Sequence, residues 1–164
     1  MSLAALDVAY EGQAGHAVAW CFPSWEAMEG GYSVSSWTYG IPPYESGQFY
    51  KRELPCLLDL LKKMPPVDAL LVDGHVDLDT GPGLGRHLYD ALAPRVVVVG
   101  VAKRSFAGAP SVPVCRGASR VPLWVSAAGM DLEEAAARVK AMAGPHRIPH
   151  ALKKADRGSK GLWD

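Results

Sequence analysis

Two uninterrupted apolar runs constrain the fold of this chain more than any other feature. The first is ALLV at residues 69–72, and the second is VVVVGVA at 96–102. Strands that are apolar on both faces are typical of parallel sheets with helices on each side. Helical spacing of apolar residues at 48–64 and a short helical stretch at 83–93 alternate with these runs. The sequence therefore predicts parallel strands connected by helices.

The first forty residues follow a different pattern. Strands are predicted at 3–10, 16–23 and 31–38, separated by short connections such as EGQAG. Short connections require antiparallel pairing, so these segments predict a three-strand meander. The order of meander, helix, strand, helix and strand predicts an α/β fold: a ribonuclease H-like mixed sheet flanked by helices.

Further elements follow the second apolar run. SVPVCRG and VPLWVSAA predict a hairpin, and residues 131–143 predict a helix with Asp131 at its N-cap. Pro55 within the predicted helix 48–64 favours a kink, or a main helix that starts there. We expect one domain over 1–145 and a basic, polar, loosely ordered C-terminal tail over 146–164.

Composition excludes several classes of protein. The 164 residues include 17 Lys plus Arg and 17 Asp plus Glu, so any basic surface that binds nucleic acid must be local. The three cysteines form no CxxC pair, which argues against a zinc knuckle. No apolar run approaches the length of about 20 residues that spans a membrane, and no signal peptide is evident. A cytoplasmic protein is the default expectation.

Acidic residues are predicted at the carboxyl ends of neighbouring strands. In LLVDGHVDLDTG, Asp73 ends the fourth strand, and Asp7 lies among apolar residues of the first. These strands are neighbours in the predicted topology, and Glu53 lies in the segment between them. Carboxylate oxygens are suitable ligands for Mg²⁺, and two such ions can assist phosphodiester hydrolysis. Lys103 ends the next strand, where it could contact a phosphate.

Each residue also has a purely structural interpretation. Asp7 could be an edge or turn residue, and Asp73 could belong to an Asp-Gly turn. Glu53 could be a solvated helix charge, and Lys103 could extend into solvent.

Four motifs together resemble the endonuclease V family: LDVAY, KRELP, LLVDGH and GVAKRSFAG. They occur in the family's order and at similar spacing over roughly residues 5–145. The resemblance implies Mg²⁺ or Mn²⁺ dependence and hydrolysis of DNA or RNA just 3′ of a deaminated purine such as inosine. It implies that Asp7, Glu53 and Asp73 are catalytic metal ligands and that Lys103 is a catalytic cation.

The resemblance also implies residues that bind nucleic acid. TYGIPPY occupies the place of the family's wedge loop, so Tyr39, Ile41 and Pro42 could insert where the deaminated base is turned out of the duplex. A rigid surface loop is the alternative. Arg52 belongs to the Arg-Glu-x-Pro step. His75 could bind a phosphate, order a metal-bound water or cap the turn.

The sequence also departs from the family pattern. Asp79 or Thr80 stands where the family has a second His, and Ala128 or Gly129 stands where it has a His near the last predicted helix. Asp131 or Glu133 could supply a fourth ligand, although Asp131 is more simply a helix cap. Because the sequence starts close to the first strand, the resemblance implies a shortened and partly divergent member.

Three functions remain open at this stage. The first is a metal-dependent endonuclease acting at inosine. The second is a catalytically impaired module that still binds nucleic acid, and the third is a related nuclease directed at another structure such as a branched junction.

Overall fold

The computed structural model describes residues 1–46, 48 and 50–162. The long strands are β1 (Leu3–Glu11), β2 (Ala14–Phe22), β3 (Tyr32–Thr38), β4 (Ala69–Asp73), β7 (Val97–Ala102), β8 (Val112–Val114) and β9 (Leu123–Ala128). Two short strands, β5 (Asp77–Leu78) and β6 (Gly81–Pro82), pair with each other. The helices are α1 (Tyr50–Leu61), α2 (Leu84–Ala91), α3 (Leu132–Lys140) and α4 (His150–Ser159).

The seven long strands form one sheet in the order β3-β2-β1-β4-β7-β9-β8. The meander β1-β2-β3 is antiparallel, whereas β1, β4 and β7 run parallel to one another. The β8–β9 hairpin then continues the sheet in antiparallel fashion. The mixed sheet and its helices therefore match the predicted order of elements.

Helices cover both faces of the sheet and enclose two apolar cores. On one face, α3 and α4 pack with a cluster that includes Leu3, Leu71 and Val99. On the other face, α1 and α2 pack with a cluster that includes Leu70 and Val98. Adjacent residues of one strand belong to different clusters because side chains alternate between the two sides of a sheet.

Helix α1 runs through Pro55. The helix therefore does not start at Pro55, which is one of the two predicted possibilities. Pro55 is on the exposed side, where a missing backbone donor costs less because water reaches the carbonyl. The adjacent Cys56 thiol donates to the Arg52 carbonyl at 3.4 Å. Phe49, which the apolar spacing placed in this helix, lies outside the described residues.

The C-terminal segment differs from prediction. Instead of a loosely ordered tail, residues 150–159 form α4, which packs against β1 and β2. Ala151 and Ala155 are buried in its contact face. Small side chains let the helix approach the sheet closely, although they give a weak hydrophobic signal in the sequence. The described part of the chain contains no helix long and apolar enough to cross a membrane.

Candidate functional site

Parallel pairing places two carboxylates side by side at one edge of the sheet. Ala5 of β1 is in register with Leu71 of β4. Side chains two residues further along each strand point to the same face, which is the face covered by α4. Asp7 and Asp73 occupy those positions, so the alternation that buries Ala5 and Leu71 brings the two acids together.

Asp7, Asp73 and Lys103 line one cavity of about 190 Å³ beneath α4. A fourth charged group in its wall is Asp156, from the middle of α4. The other lining residues are mainly apolar: Leu6, Val101, Leu123, Ile148, Leu152 and Lys153. The cavity therefore combines carboxylates and lysines with largely apolar walls.

Asp156 is the site residue that the sequence analysis missed. The sequence predicts a loosely ordered tail for its segment and offers Asp131 or Glu133 as a fourth ligand. Asp131 instead caps α3, where its Oδ2 accepts a hydrogen bond from the Glu134 amide at 3.1 Å. Neither Asp131 nor Glu133 lines the cavity. The available signal was the spacing of Ile148, Ala151, Leu152, Ala155 and Ser159 along one helical face.

Glu53 approaches the same edge from the opposite side of the sheet. It lies in the first turn of α1, which packs on the face that α4 does not cover. Burial, together with the smaller effect of the charges of Asp7 and Asp73, raises the pKa of Glu53 to about 8. Electrostatics therefore link Glu53 to the two strand carboxylates, although Glu53 does not line the cavity.

The strand carboxylates are perturbed in the same direction. Burial raises the pKa of Asp7 to about 6, against the opposing effect of a 2.8 Å hydrogen bond that the Ser159 hydroxyl donates to Asp7 Oδ2. Loss of hydration also raises the pKa of Asp73, an effect that the positive charge of Lys103 opposes. Asp156 raises the pKa of both groups. Burial is thus the largest cause for both groups, and neighbouring negative charge adds to it.

The donor set suits a hard divalent cation, because carboxylate oxygens are the ligands such ions prefer. Within the described residues, however, no three His, Cys, Asp or Glu side chains are close enough as they stand to hold a metal ion. Two of the carboxylates have other partners: Asp7 accepts from Ser159, and Asp156 Oδ1 lies 2.8 Å from Lys160 Nζ. Binding an ion would require these side chains to turn towards it.

Two residues expected to bind nucleic acid make internal contacts. His75 Nε2 lies 2.9 Å from the Arg104 carbonyl oxygen, which ties the turn after β4 to the segment after β7. The Arg52 guanidinium lies 4.1 Å from the centre of the Tyr10 ring, and its buried Nε has no hydrogen-bond partner.

The predicted wedge residues separate into two environments. Tyr39 is 76% exposed, and Pro42 is also exposed. Ile41 is only 4% exposed and packs in the same apolar cluster as Cys56, so its predicted insertion into nucleic acid is corrected to a core role. The sequence analysis overlooked Tyr44, which is 63% exposed in the same loop.

Comparison with known proteins assigns this architecture. The parallel β1, β4 and β7 strands with the antiparallel meander define the ribonuclease H-like class, as predicted. The sequence model of the endonuclease V family matches residues 1–126, and the chain belongs to that family. Comparison with curated proteins found no match.

Solved structures agree with this assignment. Endonuclease V from Streptomyces avermitilis superposes with a TM-score of 0.80 at 25% identity, over 98% of this chain and 80% of that one. Endonuclease V from Ciona intestinalis, crystallised with a DNA 24-mer containing an inosine followed by a ribo-adenosine, gives a TM-score of 0.77 at 22% identity, over 98% and 84% of the two chains. The Bacillus subtilis enzyme gives 0.76 at 21% identity, over 98% and 80%.

Proposed function

We propose that this protein is a metal-dependent endonuclease that hydrolyses a phosphodiester 3′ of a deaminated purine, inosine, in DNA or RNA. The observation that carries the proposal is the group of carboxylates from four separate elements, with Lys103 beside them, at the carboxyl edge of the parallel strands. A group of like charges lowers the stability of the folded chain, and a bound cation or substrate offsets this cost.

In this proposal Asp7, Asp73, Glu53 and Asp156 hold Mg²⁺ or Mn²⁺. A bound ion of this kind lowers the pKa of its water ligand and neutralises charge on the phosphate. Lys103, which shares the cavity with Asp7 and Asp73, places its ammonium against a non-bridging phosphate oxygen. Leu123, Ile148 and Leu152 form an apolar wall beside these charged groups.

The choice of inosine rests on family membership rather than on a described base pocket. The Ciona intestinalis relative was crystallised with inosine-containing DNA, and this chain shares its fold over 98% of its own length. Exposed Tyr39 and Pro42 stand in the loop between β3 and α1, on the chain segment that leads to Glu53. This position suits contact with a nucleic acid strand that enters the site.

A nicking assay tests the proposal directly. Single-stranded and duplex oligonucleotides, each with one inosine, are incubated with Mg²⁺ or Mn²⁺ alongside inosine-free controls. We expect cleavage 3′ of the inosine that Asp73→Asn reduces by at least about 100-fold, equivalent to about 2.7 kcal/mol of transition-state stabilisation.

Asp77→Asn is the matched control. Asp77 lies on the same turn-rich segment but does not line the cavity, and it forms an ion pair with Arg86 at 3.0 Å. Its substitution should leave most of the activity. Equal losses of activity in the two variants would contradict the proposed site. Equal cleavage of strands with and without inosine would contradict the proposed substrate.

A second candidate function is a nucleic-acid-binding module with impaired catalysis. The observation that favours it is that, in the described part of the chain, no three potential ligands are already grouped around a metal position. It predicts inosine-dependent binding without cleavage, even in Mn²⁺. The same assay therefore separates the two functions when a binding measurement accompanies it.

A further inference from the structure

A row of aromatic side chains extends from the acidic site to the free edge of the sheet. Ala9 pairs with His16 across β1 and β2, and His16 pairs with Trp37 across β2 and β3. Residues in register share a face, and Ala9 lies two positions after Asp7 on the same strand. His16 and Trp37 therefore lie on the face that carries Asp7.

The rings in this row are nearly parallel. The His16 and Trp37 ring centroids are 4.5 Å apart with planes inclined by 19°, and those of Trp37 and Tyr39 are 6.4 Å apart with planes inclined by 15°. Trp37 is 43% exposed, and Tyr39 is more exposed still. We call His16, Trp37 and Tyr39 the aromatic row.

The aromatic row is continuous with the candidate site. A groove of about 480 Å³ beside it is lined by Ala9, Tyr10, Glu11, His16, Trp37, Ser159, Lys160 and Gly161. His16 Nδ1 lies 2.8 Å from the Ser159 carbonyl oxygen, and the Ser159 hydroxyl donates to Asp7. One residue of α4 thus contacts both the row and a candidate metal ligand.

We propose that the aromatic row binds an unpaired nucleobase of the strand that flanks the scissile phosphate. This inference rests on the proposed function and extends it to single-stranded substrate. Flat π faces of bases stack on aromatic side chains, and only unpaired, unstacked bases present a free face. Lys160 in the groove supplies a cation for the strand's backbone, whereas Glu11 is the acidic group in its wall.

Binding of short oligonucleotides tests the inference without relying on cleavage. The probes are an inosine-containing single strand and the same strand in a duplex, measured by anisotropy in Ca²⁺, a hard cation that takes oxygen ligands. We expect Trp37→Ala to weaken single-strand binding about tenfold, which corresponds to about 1.4 kcal/mol of stacking free energy. Duplex binding should change less than threefold.

Two further variants guard against misfolding and non-specific effects. Trp37→Phe keeps a π face and should retain most of the affinity, and Tyr39→Ala removes an exposed ring at the end of the row. Tyr32→Ala is the matched control, because Tyr32 is 49% exposed on the same strand but at its opposite end. Quenching of tryptophan fluorescence by the single strand should disappear in Trp37→Phe.

The outcomes separate this inference from the proposed function. If Trp37→Ala binds the single strand like the native chain while cleavage at inosine persists, the row is not a binding surface and the proposed function stands. If the native chain binds single strands through Trp37 but never cleaves at inosine, the row stands and the proposed function fails. Equal losses for Tyr32→Ala and Trp37→Ala would also overturn the inference.

Discussion

Two polar regions of this molecule contrast in how their charges are satisfied. Arg116, buried just after β8, donates hydrogen bonds to the carbonyl oxygens of five residues, the last of α3 and four of the segment that leads to α4: Lys140, Met142, Gly144, His146 and Arg147. The carboxyl groups of Asp7, Glu53 and Asp73, by contrast, have pKa values raised chiefly by burial and further by neighbouring negative charge, and they lack an equivalent set of donors.

The contrast shows which polar region supports the fold and which is available for a ligand. A buried guanidinium with its donors paired stabilises the segment that it contacts, because losing it leaves several carbonyls without partners. Ionisation of buried carboxyl groups costs stability as pH rises, and a bound cation would offset that cost. The predictions below test this difference through the free energy of unfolding.

The largest effect is expected at Arg116. Arg116→Met should lower the free energy of unfolding by about 3 to 4 kcal/mol, because the carbonyls between α3 and α4 lose their common donor. Denaturant unfolding followed by circular dichroism measures the change. Arg120→Met, on an exposed side chain of the same loop, is the control and should stay close to the native value. A loss below about 1 kcal/mol for Arg116→Met would mean that water replaces the guanidinium easily.

The second effect has the opposite sign and arises at Glu53. The pKa of Glu53 is raised from 4.5 to about 8 in the folded chain. The folded state therefore holds a proton that the unfolded state has lost, and stability falls as pH rises from about 4.5 to about 8. With a metal chelator present, Glu53→Gln should be more stable than the native chain at pH 8 by about 2 kcal/mol, after discounting for solvent contact.

The pH dependence supplies the check on this second prediction. The difference between native chain and Glu53→Gln should shrink as pH falls towards 4.5 and level off below it, where Glu53 is protonated in both states. Glu133→Gln, on an exposed position of α3, should show no such trend. A Glu53→Gln protein that is less stable at pH 8 would mean that the ionised carboxylate has a stabilising partner.

The same contrast explains how much of the site could be predicted from sequence. Asp7 lies within an apolar strand, Asp73 ends the next parallel strand, and Lys103 directly follows the third. They were identifiable because parallel pairing brings these positions to one edge of the sheet. Each local pattern therefore implied a position in the sheet. Predicting the position of Glu53 required one further assumption, that the helix after the meander returns to the edge of the sheet where Asp7 and Asp73 lie.

Asp156 and Arg116 could not be found in this way. Asp156 lies in α4, and Arg116 contacts the segment before that helix. The sequence of α4, HALKKADRGS, is rich in charged and small residues. The N-cap residue of α4, Pro149, makes no side-chain cap hydrogen bond, so the usual signal for a helix start is missing. Ile41 was misassigned for a related reason: its burial comes from tertiary contact with the cluster around Cys56, which loop composition does not indicate.

A smaller effect on the free energy of unfolding is expected from metal ions. A bound ion supplies the carboxylates with a partner, as the carbonyl oxygens already do for the Arg116 guanidinium. An ion that binds only the folded state at ten times its dissociation constant stabilises by about 1.4 kcal/mol. Millimolar Mn²⁺ or Mg²⁺ should therefore raise the melting temperature by a few degrees, as followed by differential scanning fluorimetry. The gain should vanish in Asp73→Asn and persist in Asp77→Asn. An unchanged melting temperature in the native chain would leave the carboxylates without a cation-binding role.

The smallest effect concerns Lys160, the cation that already contacts the site. Its ammonium lies 2.8 Å from Asp156 Oδ1, and its charge lowers the pKa of Asp7 and Asp73. Because this ammonium competes with a divalent ion for the same carboxylates, Lys160→Met should tighten Mn²⁺ binding about twofold to threefold, the range of an exposed ion pair. Isothermal titration calorimetry without nucleic acid measures it, with Lys140→Met on α3 as the control. Weaker binding in Lys160→Met would show instead that Lys160 holds Asp156 in the orientation that the ion requires. The ammonium of Lys160 would then play a structural role like that of the Arg116 guanidinium.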